Sequence, residues 1–177
     1  MKFIKTQLDG AYVIEIEPVE DIRGFFTRTW CMKEFKEHGL NPNLAQMSVA
    51  FNNKKNTLRG MHYMLPPNQE AKVVRCTRGS IYDVIIDLRR NSKTFKKWFS
   101  TELTQDNYKM VYLPEGFAHG YITLEDNTEV LYQMSILFVP ESYTGVRWND
   151  SAFNIKWPMF DNLIISEKDQ SYTNFVW

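Results

Sequence analysis

From Ala11 to Glu17 the chain reads AYVIEIE, a β-rich run with partial alternation of apolar and polar positions. Pro18 and the Asp21-Ile22-Arg23-Gly24 cluster interrupt it, so the pattern predicts a strand followed by a turn. Residues 29–40, TWCMKEFKEHGL, place Trp30, Phe35 and Leu40 near helical spacing with Gly39 as a stop signal, which predicts one short helix. Nine β-prone runs separated by turn residues then follow: LAQMSVAF, TLRGMHYML, AKVVRCTRG, SIYDVIIDLR, WFSTELT, KMVYLP, HGYITLE, TEVLYQMSILFVP and GVRWND. So many short strands require a sandwich or a barrel. Val84-Ile85-Ile86 and Val130-Leu131-Tyr132 are apolar without alternation, as expected of strands covered on both faces. The pattern as a whole predicts an all-β, jelly-roll architecture with a few short helices. The Arg78-Gly79 turn predicts that KVVRCT and SIYDVIIDLR pair as the two arms of a hairpin. The tail from Asp161 to Trp177 shows no strand character and one helical signal, Ser166-Glu167-Lys168-Asp169.

Composition narrows this picture. A chain of 177 residues fits a single domain spanning 1–177, at roughly 100 to 200 residues per domain. With 21 Lys plus Arg against 21 Asp plus Glu the formal charge is zero, which argues against a nucleic-acid partner. Twelve Phe, nine Tyr and five Trp add weight to the β reading. Cys31 and Cys76 are too few for a disulfide framework and wrongly spaced for a zinc knuckle or redox pair. The N-terminus lacks an unbroken apolar stretch, and no run of 18 apolar residues occurs, so a soluble cytoplasmic protein without a membrane partner is expected.

Candidate chemistry centres on histidine. His38 lies in the charged helical segment and reads as a solvated or capping residue, whereas His62 and His119 lie beside glycines in β-rich sequence. Pro114 to His119 has the PxGxxH form that resembles the second motif of cupins. Metal-binding cupins carry an HxH plus Glu first motif, where this chain has only His62. His62, His119 and Glu70 make a poor ligand set, so no metal is expected. A histidine beside a carboxylate instead suits general-base chemistry. On its strand Lys72 shares the parity of Val74 and Cys76, while Val73 and Arg75 face the other way. An exposed strand lysine and one meeting negative charge inside a barrel are both compatible with that spacing.

Taken together, the motifs resemble the dTDP-4-dehydrorhamnose 3,5-epimerase family of cofactor-free cupins. The blocks that carry the likeness are Asp21 to Phe26, Leu58 to Tyr63, Lys72 to Arg75, Asp83 to Arg89, Pro114 to Gly120, Tyr132, Trp148 to Asp150, Trp157-Pro158 and Ser166 to Asp169. The resemblance implies a cupin double-stranded β-helix, no cofactor, and a 4-keto-6-deoxy-hexose nucleotide inverted at C3 and C5. It further implies that His62 is the base, Asp169 its carboxylate partner, Lys72 the holder of the enolate oxygen and Tyr132 the acid on the opposite face. Arg23 and Arg59 match arginines that grip the diphosphate, His119 an active-site histidine, and Phe26 and Phe138 rings around the substrate. A homodimer is implied as well, with an N-terminal strand exchanged so that Arg23 and Phe26 reach the partner's site.

Several positions depart from the family pattern. Arg28 replaces a frequent glutamate near the nucleobase, and Phe138 replaces a frequent tyrosine. The QxNxS pattern reads Gln46-Met47-Ser48-Val49-Ala50, and Met64 stands where glutamine is common. These departures leave open a C3-only or C5-only epimerase and a GDP- or CDP-linked substrate. A non-catalytic sugar-nucleotide-binding cupin and a metal-dependent cupin oxygenase or isomerase are the readings from other classes.

Overall fold

The computed structural model of the chain describes residues 1–158 and 161–176; Trp177, the last residue of the expected domain, lies outside them. Two antiparallel sheets face each other. The first contains β1 (Lys2–Lys5), β2 (Tyr12–Glu15), β5 (Gln46–Asn52), β7 (Lys72–Arg78), β10 (Met110–Leu113) and β12 (Thr128–Met134), in the spatial order β1-β2-β10-β7-β12-β5. The second contains β6 (Thr57–Met64), β8 (Ser80–Asp87), β9 (Trp98–Thr104), β11 (Phe117–Thr123) and β13 (Tyr143–Gly145), in the order β13-β6-β11-β8-β9. A separate hairpin joins β3 (Val19–Asp21) to β4 (Gly24–Phe26). This is the expected all-β jelly roll of the cupin type.

Strand parity explains how the sheets bury their faces. Val74 and Cys76 of β7, Val130 of β12, Ile81 and Ile85 of β8, and Phe117 and Tyr121 of β11 form the core between the sheets. The alternate residues of the same strands point outward and are covered too. Val73 and Met110 pack under Phe35 and Leu40, while Val84, Ile86 and Ala118 pack under Val146 and Phe153. Coverage on both faces is why the central strands are apolar without alternation. The predicted helix is present as α1 (Met32–Glu37), shorter than the pattern suggested. His38 caps its C-terminus and stacks on Phe3 with ring centroids 4.0 Å apart, away from the other histidines.

The hairpin expected at Arg78-Gly79 does not form. β7 pairs with β10 and β12, β8 pairs with β9 and β11, and the turn carries the chain from one sheet to the other. β7 takes both of its neighbours, and β8 takes β11, from distant sequence, while β9 follows β8 along the chain, so the tight turn here closes the end of the sandwich. The C-terminal strand signal GVRWND is displaced as well, since β13 ends at Gly145 and only Val146 still bonds to Met61 of β6 before the chain turns away. The tail does contain a strand: β14 (Ile164–Ile165) runs parallel to Thr57 and Leu58 of β6. Two residues are too short a run to register as periodicity. β14 leads into α2 (Glu167–Ser171), whose N-cap Ser166 accepts from the Asp169 amide. Lys2–Lys5, an edge strand with lysine at both ends, was not distinguishable from its charged surroundings. Among the described residues no helix is long and apolar enough to cross a membrane.

Candidate active site

The inward-facing polar residues collect around a cavity of about 520 Å³. The first sheet supplies Gln46, Ser48 and Ala50 of β5, Lys72 of β7, and Tyr132 and Met134 of β12. The second supplies Arg59 and His62 of β6, His119 of β11 and Tyr143 of β13, with Glu70 and Phe138 from flanking segments. On β7 and β12 the cavity residues Lys72 and Tyr132 share a face with the core residues Val74, Cys76 and Val130. One face of each strand is therefore packed core along part of its length and reactive surface beyond it.

His62 Nε2 lies 2.8 Å from Asp169 Oδ1 across 107 residues of sequence. The carboxylate is held in place by its own surroundings. Its Oδ2 accepts from the Gly60 amide at 3.1 Å, and the Asp169 amide donates to Ser166 Oγ at 3.1 Å. Burial pushes the Asp169 carboxyl up, but hydrogen bonds from His62, Gly60 and Ser166 outweigh it and leave it below the ordinary carboxylate value. An ionised carboxylate only accepts, so Nε2 carries the proton and Nδ1 keeps a free lone pair. Burial also pushes the His62 imidazole below its ordinary value, against the opposing charge of Asp169. The result is a neutral, oriented imidazole at neutral pH.

Gly60 makes this arrangement possible. Its φ of +138° belongs to glycine, and a Cβ there would lie 2.6 Å from the Gly120 Cα. A Cβ on Gly120 would in turn lie 2.5 Å from Met61 Sδ and 2.8 Å from Arg59 O. The two glycines let β6 and β11 approach closely where their register shifts, between His119 and Tyr121.

His119 stands directly opposite His62 in the β6–β11 ladder and has a carboxylate of its own: Nε2 lies 2.6 Å from Asp83 Oδ1. This second pair is more enclosed, with side chains 4% and 1% exposed against 19% and 8% for His62 and Asp169. The Tyr132 ring meets the His119 ring edge-on at 5.9 Å. Burial, with the Tyr121 hydroxyl it bonds to, pushes the Tyr132 hydroxyl well above its ordinary value, so it remains protonated. The polar chain continues from Tyr121 Oη to Asn52 Oδ1 at 3.2 Å, which also accepts from Arg59 Nε at 2.8 Å. Lys72 Nζ pairs with Glu70 Oε1 at 2.8 Å. Gln46 Oε1 accepts from the Phe138 amide at 2.8 Å and ties that exposed ring to the cavity mouth.

The cavity thus gathers His62, Lys72, Tyr132, Gln46, Ser48, Arg59, His119 and Phe138 of the expected site residues, with Asp169 directly behind His62. Arg23, Phe26 and Arg28 are not among its lining residues. Arg23 and Phe26 sit on the exposed β3–β4 hairpin, where Arg23 pairs with Asp21, and Arg28 pairs with Glu34 at 2.9 Å. Sequence reasoning assigned no site role to Tyr143, Met134 or Asp83. Tyr143 was legible only through pairing, since Gly145, two residues on, is the register partner of His62. Asp83 was legible through parity, because it faces inward with Ile81 and Ile85. Glu70, weighed as a metal ligand, is bonded to Lys72 instead.

Among the described residues no group of three or more His, Cys, Asp or Glu side chains converges as a metal site. Among the described residues His62 is paired with Asp169 and His119 with Asp83, while Glu70 is paired with the Lys72 ammonium.

Comparison with known proteins agrees with this geometry. The family model for dTDP-4-dehydrorhamnose 3,5-epimerase matches residues 5–176. The chain is 42% identical over 173 residues to the dTDP-4-dehydrorhamnose 3,5-epimerase of Methanothermobacter thermautotrophicus, covering 97% of this chain and 92% of that one. Its fold matches the crystal structure of the enzyme of that name from Elizabethkingia anophelis with a TM-score of 0.96 and 37% identity, over 99% and 96% of the two chains. It matches the Bacillus anthracis enzyme, crystallised with TDP and pyrophosphate bound, with a TM-score of 0.93 and 35% identity, over 98% and 99%. With His62, Asp169, Lys72 and Tyr132 assembled at one cavity and the family model matching residues 5–176, the chain belongs to the dTDP-4-dehydrorhamnose 3,5-epimerase family.

Proposed function

We propose that this protein inverts C3 and C5 of dTDP-4-dehydro-6-deoxy-D-glucose by removing and returning the protons beside the C4 ketone, a step of deoxysugar or polysaccharide synthesis. The observation that carries the proposal is the arrival of His62 and Tyr132 in one cavity from opposite sheets. Inversion at carbon needs a base on one face and an acid on the other, and two opposed sheets supply them.

The steps follow from the groups present. Nδ1 of His62 removes a proton α to the ketone, and Asp169 stabilises the imidazolium that forms. The electron pair moves into the carbonyl, giving an enolate whose oxygen is held by the Lys72 ammonium, the task of an oxyanion donor. Tyr132 then donates its proton to the opposite face of the carbon, and the ketone is restored. Substrate and product have the same atoms and oxidation level, so these steps call for no redox partner. Arg59, at the rim of the polar network, suits the diphosphate, as planar guanidinium forks do.

The same reading assigns a homodimer. Val19, Ile22 and Phe26 of the β3–β4 hairpin are exposed, and Met47, Val49 and Phe51 form an alternating exposed apolar stripe on the outer face of the edge strand β5. Exposed apolar residues in contiguous rows mark association surfaces. A hairpin passed to a second copy would carry Arg23 and Phe26 toward that copy's cavity. Free thiols at Cys31 and Cys76 support residence in a reducing compartment, the cytoplasm.

Proton NMR of dTDP-4-dehydro-6-deoxy-D-glucose with the enzyme in D2O tests the reaction. Loss of both the C3 and C5 proton signals is the expected result. No exchange at either carbon would contradict it.

A further inference from the structure

Lys72 is an ammonium in an unfavourable place. Its strand parity puts it in line with Val74 and Cys76, both fully buried, and its own side chain is only 11% exposed. A buried cation without a counter-charge is costly. Glu70 answers that problem. Its carboxylate Oε1 lies 2.8 Å from Lys72 Nζ, and its side chain is 8% exposed.

The backbone between the two residues is fixed. The Ala71 amide donates to Ser135 Oγ at 2.9 Å, and the Ser135 amide donates to Ala71 O at 3.0 Å. These two bonds clamp the start of β7 to the end of β12, so Glu70 and Lys72 cannot drift apart by local fraying. An ammonium has three N–H donors. One directed at Glu70 fixes the side-chain torsions and leaves the other two for the cavity.

We infer that Glu70 is a positioning residue for the reaction, aiming the Lys72 ammonium at the oxygen that becomes negative in the enolate. This inference rests on the epimerase reading above and adds a role for Glu70 that acts entirely through Lys72.

A double-mutant cycle tests it, with steady-state kinetics on dTDP-4-dehydro-6-deoxy-D-glucose for wild type, Glu70→Gln, Lys72→Ala and the double variant. The proposal predicts that Glu70→Gln lowers kcat about tenfold with KM nearly unchanged, a coupling typical of contacting residues. In the Lys72→Ala background the same change should alter kcat by less than about twofold. Glu70→Asp, which keeps the charge on a shorter arm, should recover part of the loss and gives a second reading if the glutamine variant folds poorly. Wild-type kcat in both Glu70 variants would overturn the proposal, as would an undiminished loss in the Lys72→Ala background or a change confined to KM. An inactive wild type would instead refute the epimerase reading itself, so the two failures are distinguishable.

Discussion

His62 and His119 are direct partners across the β6–β11 ladder, and each presents Nε2 to a carboxylate, Asp169 at 2.8 Å and Asp83 at 2.6 Å. Two histidine–aspartate pairs side by side invite the question of which one removes the proton. Access decides it, because the His62 side chain is 19% exposed and His119 only 4%. His62→Asn should therefore abolish deuterium exchange at both C3 and C5 while binding of dTDP changes little. His119→Asn should leave measurable exchange. Exchange kinetics by NMR, with calorimetric titration of dTDP, distinguish the two, and exchange in the His62 variant at the wild-type rate would contradict the assignment.

The pH dependence has a sign fixed by the same pair. The base works unprotonated, and burial holds His62 below its ordinary value of 6.5, so kcat/KM should stay flat through neutrality and fall only below about 6.5. Asp169 opposes the downward shift. Asp169→Asn should thus move the acid limb to still lower pH, even as the plateau drops. A limb that moves upward in that variant would show that Asp169 does not charge-stabilise His62.

On the proposed mechanism, Lys72→Ala removes the donor to the enolate oxygen. Turnover should fall by about 10² to 10³, the scale of one oxyanion donor. The same proposal assigns binding to Arg59 and the rings, which the substitution leaves in place, so the loss should appear in kcat. Near-normal turnover would remove Lys72 from the mechanism.

Gly60→Ala should damage stability and chemistry together. The new Cβ meets the Gly120 Cα at 2.6 Å and sits at a φ of +138°, a conformation costing about 1 to 3 kcal/mol for a residue with a side chain, before the clash is counted. Any shift of the Gly60 amide also loosens Asp169, which it holds at 3.1 Å. Denaturant unfolding and turnover should both report the loss. An unchanged unfolding midpoint would contradict the packing described here.

Alternation made much of this site legible before any coordinates. Lys72, Val74 and Cys76 share a face in sequence and in the structure, and the rule that places Val130 in the core places Tyr132 beside it. What alternation does not encode is partnership between strands. The Arg78-Gly79 turn has hairpin composition, yet its arms go to different sheets, β7 between β10 and β12 and β8 between β9 and β11. Tyr143 entered the cavity through the pairing of β13 with β6, and Asp169 reached His62 through the two-residue β14 and the one-turn helix after it. The family resemblance supplied the Asp169 pairing that local pattern did not. Arg23 and Phe26 are the residues that the resemblance singles out and the cavity does not gather; both stand exposed on the β3–β4 hairpin.

The most direct test of the account is the separation of proton removal from proton return in Tyr132→Phe. With the substrate in D2O, NMR follows exchange and configuration at each reacting carbon. The account predicts that His62 still exchanges a proton for deuterium on its own face while inversion at that carbon fails, because the opposite face has lost its donor. Inversion at the wild-type rate, or equal loss of exchange and inversion, would contradict the assignment of base and acid to opposite sheets.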